Sequence, residues 1–246
     1  MITKSLFICF LFSFNLAFGQ VIQSGIILPD QRDEEEICCI YVPEDGFTVY
    51  NQPNGEITGH LTGDVKQNLG DQYNYQIFFV DDSTKRETQI DLENLQEIAY
   101  EIWALTYSTR INGFVKLKLE HDGQDLWLKE SDIDKVGFEI VDWQTFLSNN
   151  VENLLGYYAN DPGLNLREKP TTDSKIIKTL KGDTHQILPT KEHKRLWTKV
   201  KVIIYKEHPC RANVTEEDNI MQELEGWVKI IDDNGQPNVW YYSRGC

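Results

Sequence analysis

Apolar and polar residues alternate in short runs along most of this chain, and the runs are too brief to be helices. In Gly163-Leu164-Asn165-Leu166-Arg167-Glu168-Lys169-Pro170, the two leucines share one face and Asn165 and Arg167 take the other. That period of two marks a half-buried strand, and Pro170, with no N–H to offer a ladder, ends it. Ile176 to Leu180, Ile187-Leu188, Trp197 to Ile204 and Trp227 to Ile231 follow as further strands. Lys181-Gly182-Asp183 is a turn in which glycine can adopt positive φ. Five short strands separated by turns predict a meander able to curl into a small barrel.

The same grammar appears earlier. Gly46-Phe47-Thr48-Val49-Tyr50-Asn51-Gln52-Pro53 also places proline seven residues after glycine, and Leu61 precedes Gly63-Asp64 as Leu180 precedes Gly182-Asp183. Trp197-Thr198-Lys199-Val200 is answered by Phe114-Val115-Lys116-Leu117, and Gly226-Trp227-Val228 by Leu126-Trp127-Leu128. A fixed order of linked motifs in each half is the signature of an internal duplication. The expected organisation is an acidic segment over 20–39, a first unit over 40–135, a linker over 136–154 and a second unit over 155–246. In the linker, Asp142 is placed to cap a helix whose Trp143, Phe146, Leu147, Asn150 and Leu154 fall on one stripe, which predicts a packed connection. The first unit carries an inserted hairpin, Tyr75 to Val80 turning at Asp81-Asp82-Ser83 and returning through Arg86 to Ile90. The second carries an acidic insertion from Glu207 to Glu225 that holds Cys210.

Gly-Leu-Asn-Leu-Arg-x-x-Pro, Leu-x-Gly-Asp, Trp-x-x-Val and Gly-Trp-Val, in that order over residues 155–243, resemble the bacterial SH3 domain, the SH3b family. The first copy is similar but degenerate: Thr48 stands for Asn165, Tyr50 for Arg167 and Leu126 for Gly226. The resemblance implies an all-β protein of two small SH3-like β-barrels with a short helical linker. It also implies a role in binding cell-wall peptides or docking onto partner proteins, as targeting modules of secreted hydrolases do. Such barrels recognise extended peptides in aromatic-lined grooves. The groove candidates are Tyr50, Trp103, Tyr157, Tyr158, Trp240, Tyr241 and Tyr242, whereas Trp197 and Trp227 are expected in the core.

Residues 1–19 have the order of a secretory signal peptide: Lys4, an apolar stretch from Leu6 to Leu16, and the small residues of Ala17-Phe18-Gly19 before a cut at Gln20. The stretch is short of the roughly 20 residues needed to cross a bilayer. Export to the periplasm, the cell envelope or the outside is therefore expected, without membrane insertion, and Cys38, Cys39, Cys210 and Cys246 remain in an oxidising setting. Adjacent cysteines rarely bridge, so Cys210 with Cys246 is the favoured pairing, while the states of Cys38 and Cys39 stay open.

The charge narrows the partners. With 24 Lys+Arg against 39 Asp+Glu the formal net charge is −15, which opposes binding to nucleic acid or anionic lipid. Basic or zwitterionic peptides are favoured instead. His208-Pro209-Cys210 with His193 supplies only one short metal-ligand spacing, and Asp232-Asp233-Asn234-Gly235 reads as a hairpin turn, so neither a metal nor a cofactor is expected. The sequence also lacks a phosphate-binding loop, a nucleophile elbow and a zinc-protease helix. Once both copies are assigned, little chain is left over for a catalytic body. The expectation is an exported, non-enzymatic binding or scaffolding protein whose partner is a peptide, peptidoglycan or another protein. The rivals are a secreted cysteine peptidase or amidase using Cys38 or Cys39, whose acidic neighbours Asp33 to Glu36 would raise a thiol pKa, and an inhibitor-type partner of another secreted protein.

Overall fold

The computed structural model describes residues 23–30, 40–43, 45–67, 73–91, 95–99, 102–149 and 156–241. The leader-like residues 1–19, Cys38, Cys39, Tyr242 and Cys246 lie outside these. The described chain is mostly β. Its first half runs β1 (Gly25–Pro29), β2 (Ile40–Tyr41), β3 (Phe47–Tyr50), β4 (Ile57–Gln67), β5 (Tyr73–Asp81), β6 (Glu87–Ile90), β7 (Gln96–Ala99), β8 (Ile102–Ala104), β9 (Thr106–Ile111), β10 (Phe114–His121), β11 (Gln124–Lys129), helix α1 (Glu130–Lys135) and β12 (Phe138–Asp142). Helix α2 (Trp143–Asn149) connects to β13 (Tyr157–Ala159), β14 (Leu164–Arg167), β15 (Ile176–Leu180), β16 (His185–Lys194), β17 (Trp197–Tyr205), helix α3 (Glu216–Asn219), β18 (Ile220–Lys229) and β19 (Val239–Tyr241).

The two larger sheets share one strand order. One sheet reads β12-β1-β9-β10-β11-β3-β4-β5-β6 and the other β19-β13-β16-β17-β18-β14-β15, so the first seven strands match one for one. Registers agree as well. Phe47 faces Leu61 and Leu164 faces Leu180, and each ladder then slips by one residue, between Val49 and Tyr50 in one and between Leu166 and Arg167 in the other. Tyr50 faces Trp127 and Arg167 faces Trp227, while Lys116 and Lys199 flank the same two tryptophans from the far side. The motif glycines have one job in both copies. Gly46 and Gly163 sit at φ +74° and +115°, and a Cβ there would lie 2.6 Å from the Leu61 carbonyl oxygen and 2.7 Å from that of Leu180. Only glycine fits a backbone that is both left-handed and this close to its neighbour. The second glycines part company: Gly182 takes φ +69° in a turn, whereas Gly63 stays within β4, which runs on to pair with β5.

Three differences from the sequence reading concern boundaries and closure. Residues 20–39 are not simply an acidic tail, because β1 lies inside the first sheet between β12 and β9. Its Ile26 and Ile27 are fully buried, Ile26 in a core shared with the second sheet and Ile27 in the core of the first. A strand covered on both faces reads as a continuous apolar run without alternation, so it carries no period-two signal. Likewise β12, assigned to the linker, pairs along its whole length with β1. Among the described residues, the first sheet thus takes strands from Gly25–Pro29 through Phe138–Asp142. Finally, neither ladder closes among the described residues: β12 and β6 are the edges of one sheet, β15 and β19 those of the other. A third, three-stranded sheet of β2, β8 and β7 comes from the stretch between β6 and β9 together with β2.

The linker helix packs as expected. Asp142 accepts the Thr145 N–H at 2.9 Å and the Thr145 hydroxyl at 2.7 Å. That cap starts α2 and turns Trp143, Phe146 and Leu147 into the core that the second sheet covers. Asn150 and Leu154 lie outside the described residues. No helix among the described residues is long and apolar enough to cross a membrane.

Candidate functional site: a cleft beside an open strand edge

The inserted hairpin of β5 and β6 forms where the alternation predicts it, and its turn is built on one carboxylate. Asp81 Oδ1 accepts from the Ser83 hydroxyl at 2.7 Å, the Thr84 N–H at 2.7 Å, the Thr84 hydroxyl at 2.9 Å and the Ser83 N–H at 2.9 Å. These bonds, the Ser83 hydroxyl first, hold the Asp81 pKa down to about 2. On the returning strand, Ile90 is buried and pairs with Ile77, while the other edge of β6 has no partner strand among the described residues.

A second backbone segment with incomplete pairing lies across from it. β10 pairs with β9 from Phe114 only as far as Leu117, and its register against β11 jumps from Lys116 to Glu120. Between β6 and this part of β10 lies a cleft of about 600 Å³, bordered by Thr88, Ile90 and Asp91 on one side and Lys116, Lys118 and His121 on the other. The volume falls within the roughly 300–1,000 Å³ usual for ligand sites. The His121 ring packs on Phe79 with centroids 4.5 Å apart, which fixes one end of the cleft. Lys118 has its pKa lowered by desolvation, partly offset by Asp232, and its Nζ donates to Gln236 Oε1 of the second unit at 2.7 Å. Both signs of charge line the walls, since Glu120, Asp122 and Asp91 stand among the two lysines.

The aromatic residues singled out from the sequence do not meet in one groove. Tyr157 is fully buried and donates its hydroxyl to the Leu147 carbonyl oxygen at 2.7 Å. Trp240 is buried against Trp143 and Phe146. Both are core residues, because the linker helix needs apolar cover and these rings supply it. Trp103, on β8, is partly buried against the first core. Tyr158 is partly buried against the second, and burial, with a smaller effect from Glu97, raises its pKa. Tyr241 pairs with Tyr157 in the β13–β19 ladder. Tyr242 lies outside the described residues. Tyr50 takes the outward phase of β3: its hydroxyl donates to Asp132 Oδ2 at 2.8 Å and its ring meets Phe114 edge-on.

Trp197 and Trp227, expected in the core, are only partly buried. Trp227 and its counterpart Trp127 occupy the outer faces of β18 and β11, whose inward positions belong to Leu126, Leu128 and Val228. Each outer row ends at an exposed isoleucine, Ile57 (52% exposed) beside Tyr50 and Ile176 (44% exposed) beside Arg167. The sequence repeat contained this signal, since a tryptophan preserved in both copies on the polar phase of a strand is not explained by the core.

His193 lies apart from the turn that holds His208 and Cys210. The Cys210 N–H donates to His208 Nδ1 at 3.1 Å, His208 approaches Asp183, and His193 instead bonds the Thr198 hydroxyl at 3.2 Å. Among the described residues, no group of three or more His, Cys, Asp or Glu side chains could hold a metal ion. Asp232-Asp233-Asn234-Gly235 is the turn expected of it: Asp232 Oδ1 accepts the N–H groups of Asn234 and Gln236 at 2.8 and 2.7 Å. Comparison of the chain with protein-family models, curated proteins and solved structures gives no match.

Proposed function

We propose that this is an exported, non-catalytic binding protein built from a duplicated SH3b-like unit, and that it captures an extended peptide by strand addition in the cleft between β6 and β10. The observation that supports the reading is a cleft with the open edge of β6 on one side and, on the other, the stretch of β10 past Leu117 that no longer pairs with β9. An extended segment laid there would find N–H and C=O groups on both sides, and its alternate side chains would point toward Ile90 and His121. Mixed charge on the walls suits a peptide that carries both signs, such as a wall stem peptide or a partner protein's loop. A Cys210–Cys246 linkage, set by the oxidising compartment, belongs to the same proposal, and peptide mapping without reductant tests it.

The test of binding uses the mature chain with purified sacculi and with their soluble stem peptides. Retention on sacculi without muropeptide release, together with stem-peptide-induced NMR shifts at Thr88–Asp91 and Lys118–Asp122, supports the reading. Release of muropeptides that is abolished by Cys38→Ala or Cys39→Ala overturns it in favour of catalysis. Binding confined to residues outside the cleft overturns the site.

A further inference from the structure

The outer face of the first unit is closed by a helix, and the same face of the second is not. On β10, Val115, Leu117 and Leu119 point into the core, so Phe114 takes the outward phase together with Lys116. Phe114 is nevertheless only 3% exposed, although it belongs to neither core cluster. Its cover is the Tyr50 ring, which meets it edge-on, and the start of α1. There the Glu130 N–H donates to the Gly113 carbonyl oxygen at 2.9 Å, and Asp132 accepts the Tyr50 hydroxyl.

The second unit repeats the platform without the cover. By register, Trp197 stands where Phe114 does, Trp227 where Trp127 does and Arg167 where Tyr50 does. α1 lies between β11 and β12, whereas no helix lies between β18 and β19. Trp197, unlike Phe114, is left partly exposed, and Ile176 beside Arg167 is 44% exposed. The charges of this face say what suits it. Lys199 and Lys229 are matched by Glu192 and Asp233, but Arg167 donates to the Ser174 carbonyl oxygen and pairs with no carboxylate among the described residues. A guanidinium carries five N–H donors in a fork that fits a carboxylate, so most of its capacity is unspent beside an indole. In the first unit the group that meets this strand position is itself a carboxylate, Asp132, delivered on a helical turn. A second copy of the chain fits less well, since its own α1 is already seated and it brings a formal charge of −15 against one of equal sign.

We infer that the outer face of the second unit, with Arg167, Trp197, Trp227 and Ile176, docks an acidic helical segment of a partner protein, seated as α1 is on the first unit. Its carboxylate pairs with Arg167 and its apolar side chains cover the two indoles and Ile176. This surface is separate from the cleft at β6, so the two succeed or fail separately.

The experiment is a ¹⁵N NMR titration of the intact mature protein with the indole N–H signals of Trp197 and Trp227 assigned. The probe is a capped, helix-stapled peptide with the sequence of residues 129–137, the segment that covers the first unit. The controls are the same peptide carrying Asp132→Asn, and polyglutamate. Saturable shifts of both indoles with the probe support the surface, provided that Asp132→Asn in the peptide weakens binding by about tenfold or more. Ile176→Ser in the protein, a change at an exposed position that the core does not feel, is expected to weaken it severalfold. No saturable shift up to the solubility limit overturns the inference, as does an Asp132→Asn peptide or polyglutamate that binds equally well. Sedimentation showing a dimer that Ile176→Ser abolishes gives the face to a second copy and overturns it too.

Discussion

Trp240 lies nearly parallel to Phe146, with ring centroids 5.9 Å apart and an interplanar angle of 16°, and meets Trp143 edge-on at 5.6 Å. One of these residues sits on the last described strand and the other two on the linker helix, so the stack fastens the second sheet to the end of the first. Replacing Trp240 by Ala should cost about 3–5 kcal/mol, the range for removing a buried large ring. Urea denaturation followed by fluorescence and circular dichroism checks this: the midpoint should fall and the two probes should cease to coincide as the units lose their common anchor.

The matched glycines make a paired prediction. Gly46→Ala and Gly163→Ala each force a Cβ into a left-handed backbone and against the carbonyl of Leu61 or Leu180. Each is expected to destabilise by about 1–3 kcal/mol, the usual cost of overpacking. Equal losses in denaturant titrations would mark equivalent positions, whereas Gly182→Ala, with nothing within 4 Å of its added carbon, should lose only what its φ demands.

His185 predicts a pH effect with a definite sign. It is 3% exposed, and its Nε2 accepts the Ala159 N–H at 3.2 Å. Burial lowers its pKa from the ordinary 6.5, against smaller opposing effects of the Lys181 backbone and the Asp183 charge. The unfolded chain therefore takes up a proton near pH 6.5 while the folded chain does not. The contribution to stability is whole above that pH and is lost as pH falls toward the depressed folded value. Denaturation midpoints measured from about pH 7 down to about pH 5 should drop more steeply in the native chain than in His185→Gln.

Much of this architecture was legible because alternation and turn residues act locally. Leu164/Leu166, Phe47/Val49, the Asp81 turn and the Asp142 cap all form where their neighbours dictate. What escaped was decided by distant partners. Ile26-Ile27-Leu28 carries no period, since both of its faces are covered, and nothing near it in sequence announces β9 or β12 as the cover. Tyr157 and Trp240 looked like groove residues because they sit at the margins of a unit. They are core because the linker helix closes over them. The cleft beside β6 depends on where pairing stops, and a ladder's end is a property of two strands that neither sequence contains alone.

The burial of β1 on both sides has a consequence for how the protein comes into being. Its partners are Thr106 and Tyr107 on one edge and Phe138–Asp142 on the other, so this strand must wait for about 80 residues to emerge before its first partner and for more than a hundred before its second. Contacts of such long range slow assembly. Until then two isoleucines meant for different interiors remain uncovered, and the nascent chain needs a holding factor, or speed, to reach its native state without sticking to its neighbours.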